Sequence, residues 1–102
     1  MPIFYGKSTL MDYLKSIKTP HSTIGFVPTM GALHAGHLAL MQKSLLENDT
    51  TVVSIFVNLT QFNNPEDLAK YPRTLEEDVK KLTNLNPNII LYAPTVEDIY
   101  DG

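Results

Sequence analysis

Short apolar runs alternate with amphipathic segments along this chain, and the alternation limits the folds that it can adopt. Residues 51–57, rich in β-branched and aliphatic side chains, are the strongest strand signal. Further apolar runs lie at 3–5, 23–27 and 88–92, with amphipathic patterns typical of helices between them. Because right-handed strand-helix-strand crossovers produce this order, we expect an α/β fold with a parallel sheet and helices on both faces.

Three helices are predicted between these strands. The first has Ser8 as its N-cap and ends near residue 18, where Thr-Pro follows. The second covers residues 35–47. The third begins at Thr74, because Thr74 and Glu77 have the spacing of a capping box. A brief helical turn is also predicted at residues 95–100.

Two connecting segments are expected to line one crevice. Residues 28–34 and the polar, proline-containing loop at 58–73 both follow strands of the predicted parallel sheet. Ligands of such sheets bind beyond the carboxyl ends of the strands. The strand at 23–27, which is almost continuously apolar, is predicted to be buried on both faces.

Composition excludes several classes of protein. The chain has 102 residues, a net charge of −3 and no cysteine, which indicates one domain without disulfide bonds, thiolate zinc sites or thiol catalysis. Because the net charge is negative, the chain has no overall positive electrostatic field that would attract nucleic acid or an anionic membrane. An anion must therefore be bound by local geometry. No apolar run reaches the roughly 18 residues that span a bilayer. We expect a cytoplasmic protein without nucleic-acid or membrane partners.

Residues 26–37, FVPTMGALHAGH, place a small-residue turn between a strand and a helix. Such a junction presents unpaired backbone N–H groups and the positive end of a helix dipole, which suit a phosphate or carboxylate. His34 and His37 are three apart and share one helix face, and Gly36 between them would let an anion approach the backbone. Neutral imidazoles at this place can donate hydrogen bonds or a proton to phosphate oxygens.

Other interpretations of the histidine pair stay open at this point. Metal binding would need carboxylates of unspecified position, because His21 is the only further histidine and cysteine is absent. The two histidines would also be compatible with ordinary polar residues at a helix start. Neither G-x-G-x-x-G nor a Walker lysine occurs, so the usual dinucleotide fold and the P-loop are not supported.

The second loop carries further candidate binding residues. Asn58 and Gln61 have amides beside the aromatic ring of Phe62, a combination that would fit a small ligand with hydroxyl and carboxylate groups. Asn58 as a strand terminator and Phe62 as a loop anchor are the structural alternatives. Arg73 is either a phosphate partner or a residue that holds the loop in place. The acidic residues 76–78 are explained by the start of a helix.

Three ordered motifs carry a family resemblance. They are PTMGALHAGH at 28–37, SIFVNLTQF at 54–62 and NPEDLAKYPRT at 64–74. In this order and at these separations they resemble the pantothenate synthetases, also called pantoate-β-alanine ligases. The H-x-G-H motif alone is shared with a wider superfamily of nucleotidyltransferases and class I aminoacyl-tRNA synthetases. The resemblance implies a Rossmann-like, nucleotidyltransferase-type domain.

The resemblance also implies a two-step ligation in coenzyme A biosynthesis. The carboxylate of pantoate attacks the α-phosphorus of ATP to give pantoyl adenylate and pyrophosphate, and the amine of β-alanine then displaces AMP to form the amide. The enzyme would act mainly by positioning and charge stabilisation, with Mg²⁺ shielding the phosphates. A homodimer is implied for the full-length protein.

Site residues follow from positions within the motifs. His37 and His34 would be catalytic, at the phosphates, with His37 as proton donor. ATP would lie along the residues of the turn and first helical turn: Met30, Gly31, Ala32, Leu33, His34, Ala35, Gly36 and His37. Pantoate would be held by side chains from both loops: Gln61, which also lies near β-alanine, Pro28, Met30, Phe62 and the supporting Asn58.

Two departures from the family pattern matter. Leu59 stands where the family usually has proline, which would loosen the loop but leaves Gln61 in place. The family's chains are more than twice as long, so the 102 residues would be the N-terminal part of the nucleotide-binding domain. Later strands, a downstream lysine, aspartate and glutamine, a serine-and-arginine loop and the C-terminal domain would be missing. We therefore expect weak or no activity from this chain alone and an exposed apolar sheet edge.

Two alternative functions stay open beside this one. The first is another H-x-G-H nucleotidyltransferase, which would differ in the carboxylate or phosphate substrate that triggers pyrophosphate release. The second is a non-catalytic nucleotide-binding module.

Overall fold

A computed structural model describes residues 1–56 and 65–94, and for residues 65–74 it describes the backbone alone. The elements of these residues are, in chain order, β1 (Ile3–Phe4), α1 (Lys7–Ile17), β2 (Ile24–Thr29), α2 (Ala35–Glu47), β3 (Thr50–Ile55), α3 (Pro65–Leu85) and β4 (Ile90–Tyr92). The strands form one parallel sheet in the order β1-β4-β3-β2. The predicted α/β fold is therefore confirmed.

Helices cover both faces of the sheet, as expected. Met41 of α2 and Leu82 of α3 are fully buried against Val53 and its neighbours on one face. Leu10 of α1 packs against Val52 on the opposite face. Adjacent residues of β3 thus point into different cores, which is the alternation that a strand imposes. No helix within residues 1–56 and 65–94 is long and apolar enough to cross a membrane.

The two long strands differ in burial. β3 lies between β4 and β2, and residues 51–55 are all buried, so its predicted central position is confirmed. β2 is one of the two edge strands of the described sheet, and its residues Ile24 and Phe26 are 39% and 57% exposed. The prediction that residues 23–27 are buried on both faces is therefore wrong. Apolar composition does not record whether a strand has one neighbour or two.

The predicted start of two helices is also wrong. α1 begins after Gly6 rather than with Ser8 as its cap, and α3 begins at Pro65 rather than Thr74. Proline is favoured at the first helical position because its fixed φ suits the helix and its missing N–H is not needed there. Residues 65–73 are therefore helical, not loop. The predictions for residues 57–64 and 95–100 lie outside the described residues.

Candidate functional site

The carboxyl ends of β2 and β3 lie side by side at one end of the sheet, here named the carboxyl edge. Thr29 and Ile55 are paired in register, and the N–H of Phe56 donates to the Thr29 carbonyl at 3.1 Å. The segment that leads to α2 and the segment that follows β3 therefore leave the sheet at the same edge, as predicted. This carboxyl edge is where a parallel sheet presents its ligand site.

A strained turn, residues 30–33, joins β2 to α2. Gly31 has φ 88° and Ala32 has φ 54°. The left-handed region suits glycine but is uncommon for alanine, whose Cβ approaches the following carbonyl oxygen there. The hydroxyl of Thr29 donates to the Ser54 carbonyl at 3.0 Å and accepts from the Gly31 N–H at 3.2 Å. The turn is thereby bonded to both strands of the edge.

Two side chains of α3 hold the 30–33 turn. The carboxylate of Asp78, only 1% exposed, accepts from the N–H groups of Ala32 and Leu33, each at 2.9 Å. The ammonium group of Lys81 donates to the Leu33 carbonyl at 2.7 Å. Asp78 and Lys81 are three residues apart, so they project from the same face of α3. The turn is thus fixed by an anion and a cation from one helix.

These contacts overturn one expectation. The sequence predicts unpaired backbone N–H groups at this junction, but the structure pairs several of them within the chain. Donors with a partner are the N–H groups of Gly31, Ala32, Leu33, His34 and Gly36. Consecutive N–H groups in such a turn form a concave anion-binding site, and the carboxylate of Asp78 already occupies it. A ligand anion at this edge needs other donors.

His34 and His37 form a capping box made of two imidazoles. His34 is the N-cap of α2, and its Nδ1 accepts from the Gly36 N–H at 3.1 Å. The Nδ1 of His37 accepts from the His34 N–H at 3.2 Å. The ring centroids are 4.0 Å apart and the rings are tilted by 35°. The prediction that both rings share one helix face is confirmed.

The capping box gives both Nδ1 atoms the role of hydrogen-bond acceptors. A backbone N–H can only donate, so the Nδ1 atoms of His34 and His37 carry no proton in this arrangement. A neutral imidazole with an unprotonated Nδ1 carries its proton on Nε2. In that tautomer each ring carries one Nε2–H donor that has no partner among the described residues. Two neighbouring donors of this kind suit the oxygens of a phosphate group.

Gly36 has a different role from the one expected. A Cβ at this position would lie 3.0 Å from Cε1 of His34 and 3.2 Å from its Nδ1. The missing side chain leaves room for the His34 ring above the first turn of α2. In this conformation that ring, rather than a ligand anion, occupies the space beside Gly36.

The other predicted site residues are placed as follows. Pro28 is exposed on β2, and Met30, 75% exposed, follows at the carboxyl edge. Ala35 begins α2. Asn58, Gln61 and Phe62, and the side chain of Arg73, lie outside the described residues. Among the residues that the structure does describe, no group of three or more His, Cys, Asp or Glu side chains is arranged to hold a metal ion.

A cleft of about 400 Å³ lies at the opposite, amino end of the sheet. Three of its polar side chains are already bonded within the chain: the Asn48 amide donates to the Ser44 carbonyl, Asp49 accepts from the Thr23 N–H, and Asn86 accepts from the Asn88 N–H. The bonds of Asn48 and Asn86 are local, and the bond of Asp49 joins the segments that precede β3 and β2. The carboxyl edge, where neither imidazole has an Nε2 partner among the described residues, is therefore the candidate site.

Sequence reasoning missed Thr29, Asp78 and Lys81. Asp78 is separated from its partners in the turn by 45 and 46 positions, so no local motif contains the contact. One signal was present nevertheless. Leu75, Asp78, Val79 and Leu82 have the i, i+3, i+4, i+7 spacing of a buried helix stripe, and an acid within such a stripe requires a buried partner.

Comparison with known proteins shows which family this chain is similar to. A model of the family described as pantoate-beta-alanine ligase matches residues 3–101. The pantothenate synthetase of Flavobacterium psychrophilum is 67% identical over all 102 residues, which are 36% of that relative. The pantothenate synthetase of Christiangramia forsetii is 46% identical over 98% of this chain and 35% of its own. The chain thus spans about a third of the length of these relatives.

Solved structures agree in fold. The pantoate-beta-alanine ligase of Francisella tularensis, in complex with beta-gamma ATP and beta-alanine, is similar with a TM-score of 0.77 and 44% identity over 99% of this chain and 38% of that one. The pantothenate synthetase of Thermus thermophilus gives a TM-score of 0.69 and 40% identity, with 98% and 34% of the two chains covered.

Proposed function

This chain belongs to the pantoate-beta-alanine ligase family, and on that premise we propose that it forms the ATP-binding and pantoate-binding part of a longer enzyme. The reaction is the ATP-dependent condensation of pantoate with β-alanine to pantothenate, through pantoyl adenylate, with release of pyrophosphate and then AMP. The observation that carries the proposal is the pair of imidazoles at the carboxyl edge of a parallel sheet, whose Nδ1 atoms both accept backbone N–H groups and whose Nε2 atoms have no partner among the described residues. A relative with the same fold has been solved in complex with beta-gamma ATP and beta-alanine.

His34 and His37 act on the phosphates of ATP in this proposal. When the carboxylate of pantoate attacks the α-phosphorus, negative charge grows on the leaving pyrophosphate, and the two Nε2–H groups stabilise it by hydrogen bonds. A neutral imidazole that gave up its Nε2 proton would become an anion. We therefore assign hydrogen-bond donation, rather than proton transfer, to His37 in the arrangement described above.

ATP lies along residues 30–37 in this proposal. Since Asp78 occupies the N–H groups of Ala32 and Leu33, the 30–33 turn contributes shape rather than hydrogen-bond donors. Pro28 and Met30, both exposed beside the turn, wall the pantoate pocket. Asn58, Gln61 and Phe62 complete it, a proposal that rests on their motif and on their position after β3.

Magnesium reaches the site with ATP rather than through a protein-built metal centre. The described side chains contain no cluster of three or more metal ligands, so their donor set does not fit a resident ion. Magnesium prefers oxygen ligands and is commonly held by the phosphates of a nucleotide. No step of the proposed chemistry is assigned to a metal ligand of this chain.

The longer protein supplies the rest of the enzyme. This chain corresponds to the N-terminal part of a Rossmann-like domain, and it covers 36% of its Flavobacterium relative. Phe26 on β2 and Leu40 on α2 are 57% and 59% exposed. These exposed apolar side chains support the proposal that further polypeptide packs beside β2, on the lateral side of the sheet. We also propose a homodimer, from the family resemblance, and a cytoplasmic location, because the reaction consumes ATP.

The test is ring ¹⁵N NMR of the chain during titration with MgATP and then pantoate. Both Nε2 signals of His34 and His37 should shift, while those of His21, which precedes β2 at the far end of the sheet, should not. His37→Ala should abolish the response of His34, and His21→Ala should leave it unchanged. If no ring of the 34/37 pair responds at millimolar MgATP, the proposed subsite does not exist in this chain.

A second measurement addresses the whole reaction. In the longer enzyme, pantoate-dependent release of AMP should fall at least about a hundredfold in His37→Ala, a loss typical of removing a group that stabilises developing charge. Release of pyrophosphate from ATP that is triggered by a different carboxylate or phosphate substrate would instead indicate another H-x-G-H nucleotidyltransferase. Binding of MgATP without any pyrophosphate release would indicate a non-catalytic module.

A further inference from the structure

We propose that Lys81 is a positioning residue that acts on His37 through a single peptide group. The ammonium group of Lys81 donates to the Leu33 carbonyl at 2.7 Å. That carbonyl belongs to the same peptide group as the His34 N–H, which donates to Nδ1 of His37 at 3.2 Å. These three groups form a continuous chain of hydrogen bonds, here named the Lys81–His37 relay.

The relay has a definite electrical direction. A cation at a carbonyl oxygen draws electron density from the peptide group, so the N–H at its other end becomes a stronger donor. A stronger donor at Nδ1 draws density from the imidazole in turn, which makes the Nε2–H of His37 a better hydrogen-bond donor. The charge of Lys81 is therefore delivered to the free donor of His37 without contact between Lys81 and any ligand.

Asp78 keeps the relay in register. Its carboxylate binds the N–H groups of Ala32 and Leu33, directly before the peptide group that Lys81 and His37 share. Since Ala32 adopts a positive φ of 54°, the turn requires such fixation to keep the Leu33 carbonyl directed at α3. Asp78 sets the position of the turn, and Lys81 acts on the peptide group that the turn presents.

The relay gives α3 a direct part in the candidate site. α3 follows the segment that carries Asn58, Gln61 and Phe62, whereas the two imidazoles lie on α2. Any shift of α3 along its axis would move Lys81 relative to the Leu33 carbonyl. The consequence for ligand binding rests on the proposed function, but the relay itself is a property of the chain without ligand.

The test compares Lys81→Met, Lys81→Arg and the control Lys80→Met in the ligand-free chain. Methionine keeps a side chain of similar length but removes the donor, arginine keeps a cationic donor, and Lys80 is the exposed neighbour. In Lys81→Met the His34 amide proton should move upfield, and Nδ1 of His37 should move toward the ¹⁵N shift of an unbonded ring nitrogen. Lys81→Arg should restore both signals, and Lys80→Met should leave them unchanged.

Several outcomes would overturn the relay. Unchanged His34 and His37 signals in Lys81→Met would do so, because a merely structural lysine would alter melting temperature without moving them. The same shifts in Lys80→Met would show that they come from the loss of one positive charge on α3 and not from the loss of the hydrogen bond to Leu33. Failure of arginine to restore the signals would exclude donation as the cause. Asp78→Asn, which keeps one carbonyl oxygen, is the second variant and should move both signals through displacement of the turn.

Ligand binding is the final readout and separates two kinds of failure. MgATP affinity should fall about threefold in Lys81→Met, the size expected for weakening one bond of a cooperative chain. If the unmodified chain does not bind MgATP, the proposed ATP subsite does not exist in this chain, while the ligand-free spectra still decide the relay. If the unmodified chain binds MgATP and Lys81→Met binds it equally well, the relay has no part in binding.

Discussion

Two helices of similar length begin in very different ways in this molecule. α1 has 11 residues and starts after Gly6, where no side chain of the described residues forms a cap; the Thr9 hydroxyl bonds back to the Gly6 carbonyl at 3.0 Å. α2 has 13 residues and starts with the reciprocal bonds of His34 and His37. A turn with two positive φ angles precedes it, and α3 holds that turn.

The difference shows that the contacts at the start of α2 exceed what a helix requires. α1 forms without them, because packing of an amphipathic face supplies most of the stability of a helix in a protein. Leu10 provides that packing for α1, as Met41 does for α2. A non-glycine residue at positive φ persists only where its surroundings over-determine the backbone. The contacts at α2 therefore serve to place two imidazoles, and four substitutions test this conclusion.

Asp78→Ala should have the largest effect. It removes two charge-assisted hydrogen bonds and leaves the N–H of the buried Leu33 without an acceptor, so we expect the free energy of unfolding to fall by about 3 kcal/mol. Urea denaturation measures this change. Glu77→Ala, at the exposed neighbouring position, should change stability by less than about 0.5 kcal/mol. Equal losses in the two variants would show that Asp78 does not fix the turn.

Thr29→Val tests the attachment of the turn to the sheet. Valine keeps the β-branched shape but loses the hydroxyl that bonds both the Ser54 carbonyl and the Gly31 N–H. The loss should be about 1–2 kcal/mol, because these groups are buried or part-buried. Thr23→Val, which removes an exposed hydroxyl at the amino end of β2, is the matched control and should lose less. A larger loss of stability from Thr23→Val would show that the hydrogen bond at the amino end of β2 matters more than those at its carboxyl end, which would contradict the prediction.

Ala32→Gly should act in the opposite direction. Glycine adopts a φ of 54° without the steric penalty of alanine, and the relief should exceed the added entropy of the unfolded chain, giving a gain of about 0.5–1 kcal/mol. Ala35→Gly, at the first residue of α2, should instead destabilise by up to about 1 kcal/mol. Opposite signs in thermal denaturation would confirm strain at Ala32, and a loss in both variants would contradict it.

Local patterns were sufficient for part of the fold. The bounds of α2 agree with the predicted residues 35–47, because the strand, the turn residues and the helical apolar spacing all lie within one short segment. The central position of β3 also followed from its composition. For the site, the pairing of His34 and His37 on one face followed from their spacing alone.

Long-range contacts account for what sequence reasoning missed. The edge position of β2 depends on which strands become its neighbours, and an almost continuously apolar run does not specify that. The local sequence predicts free N–H groups at Ala32 and Leu33. It contains no sign of their acceptor, because that acceptor, Asp78, lies on α3, 46 and 45 positions away. Asp78 itself was attributed to a helix start at Thr74, whereas the helix begins at Pro65 and Asp78 lies in its buried stripe.

Ser8→Ala should have the smallest effect and tests the other half of the comparison. If Ser8 capped α1, as its sequence context predicted, its loss would destabilise the chain by about 1 kcal/mol. In the structure Gly6 is the N-cap and Ser8 is an exposed residue within the helix, where alanine has the higher helix propensity. Thermal denaturation should therefore show no loss, or a slight gain. A loss near 1 kcal/mol would mean that α1 also depends on a side-chain cap, and the side-chain contacts at the start of α2 would then no longer set that helix apart from α1.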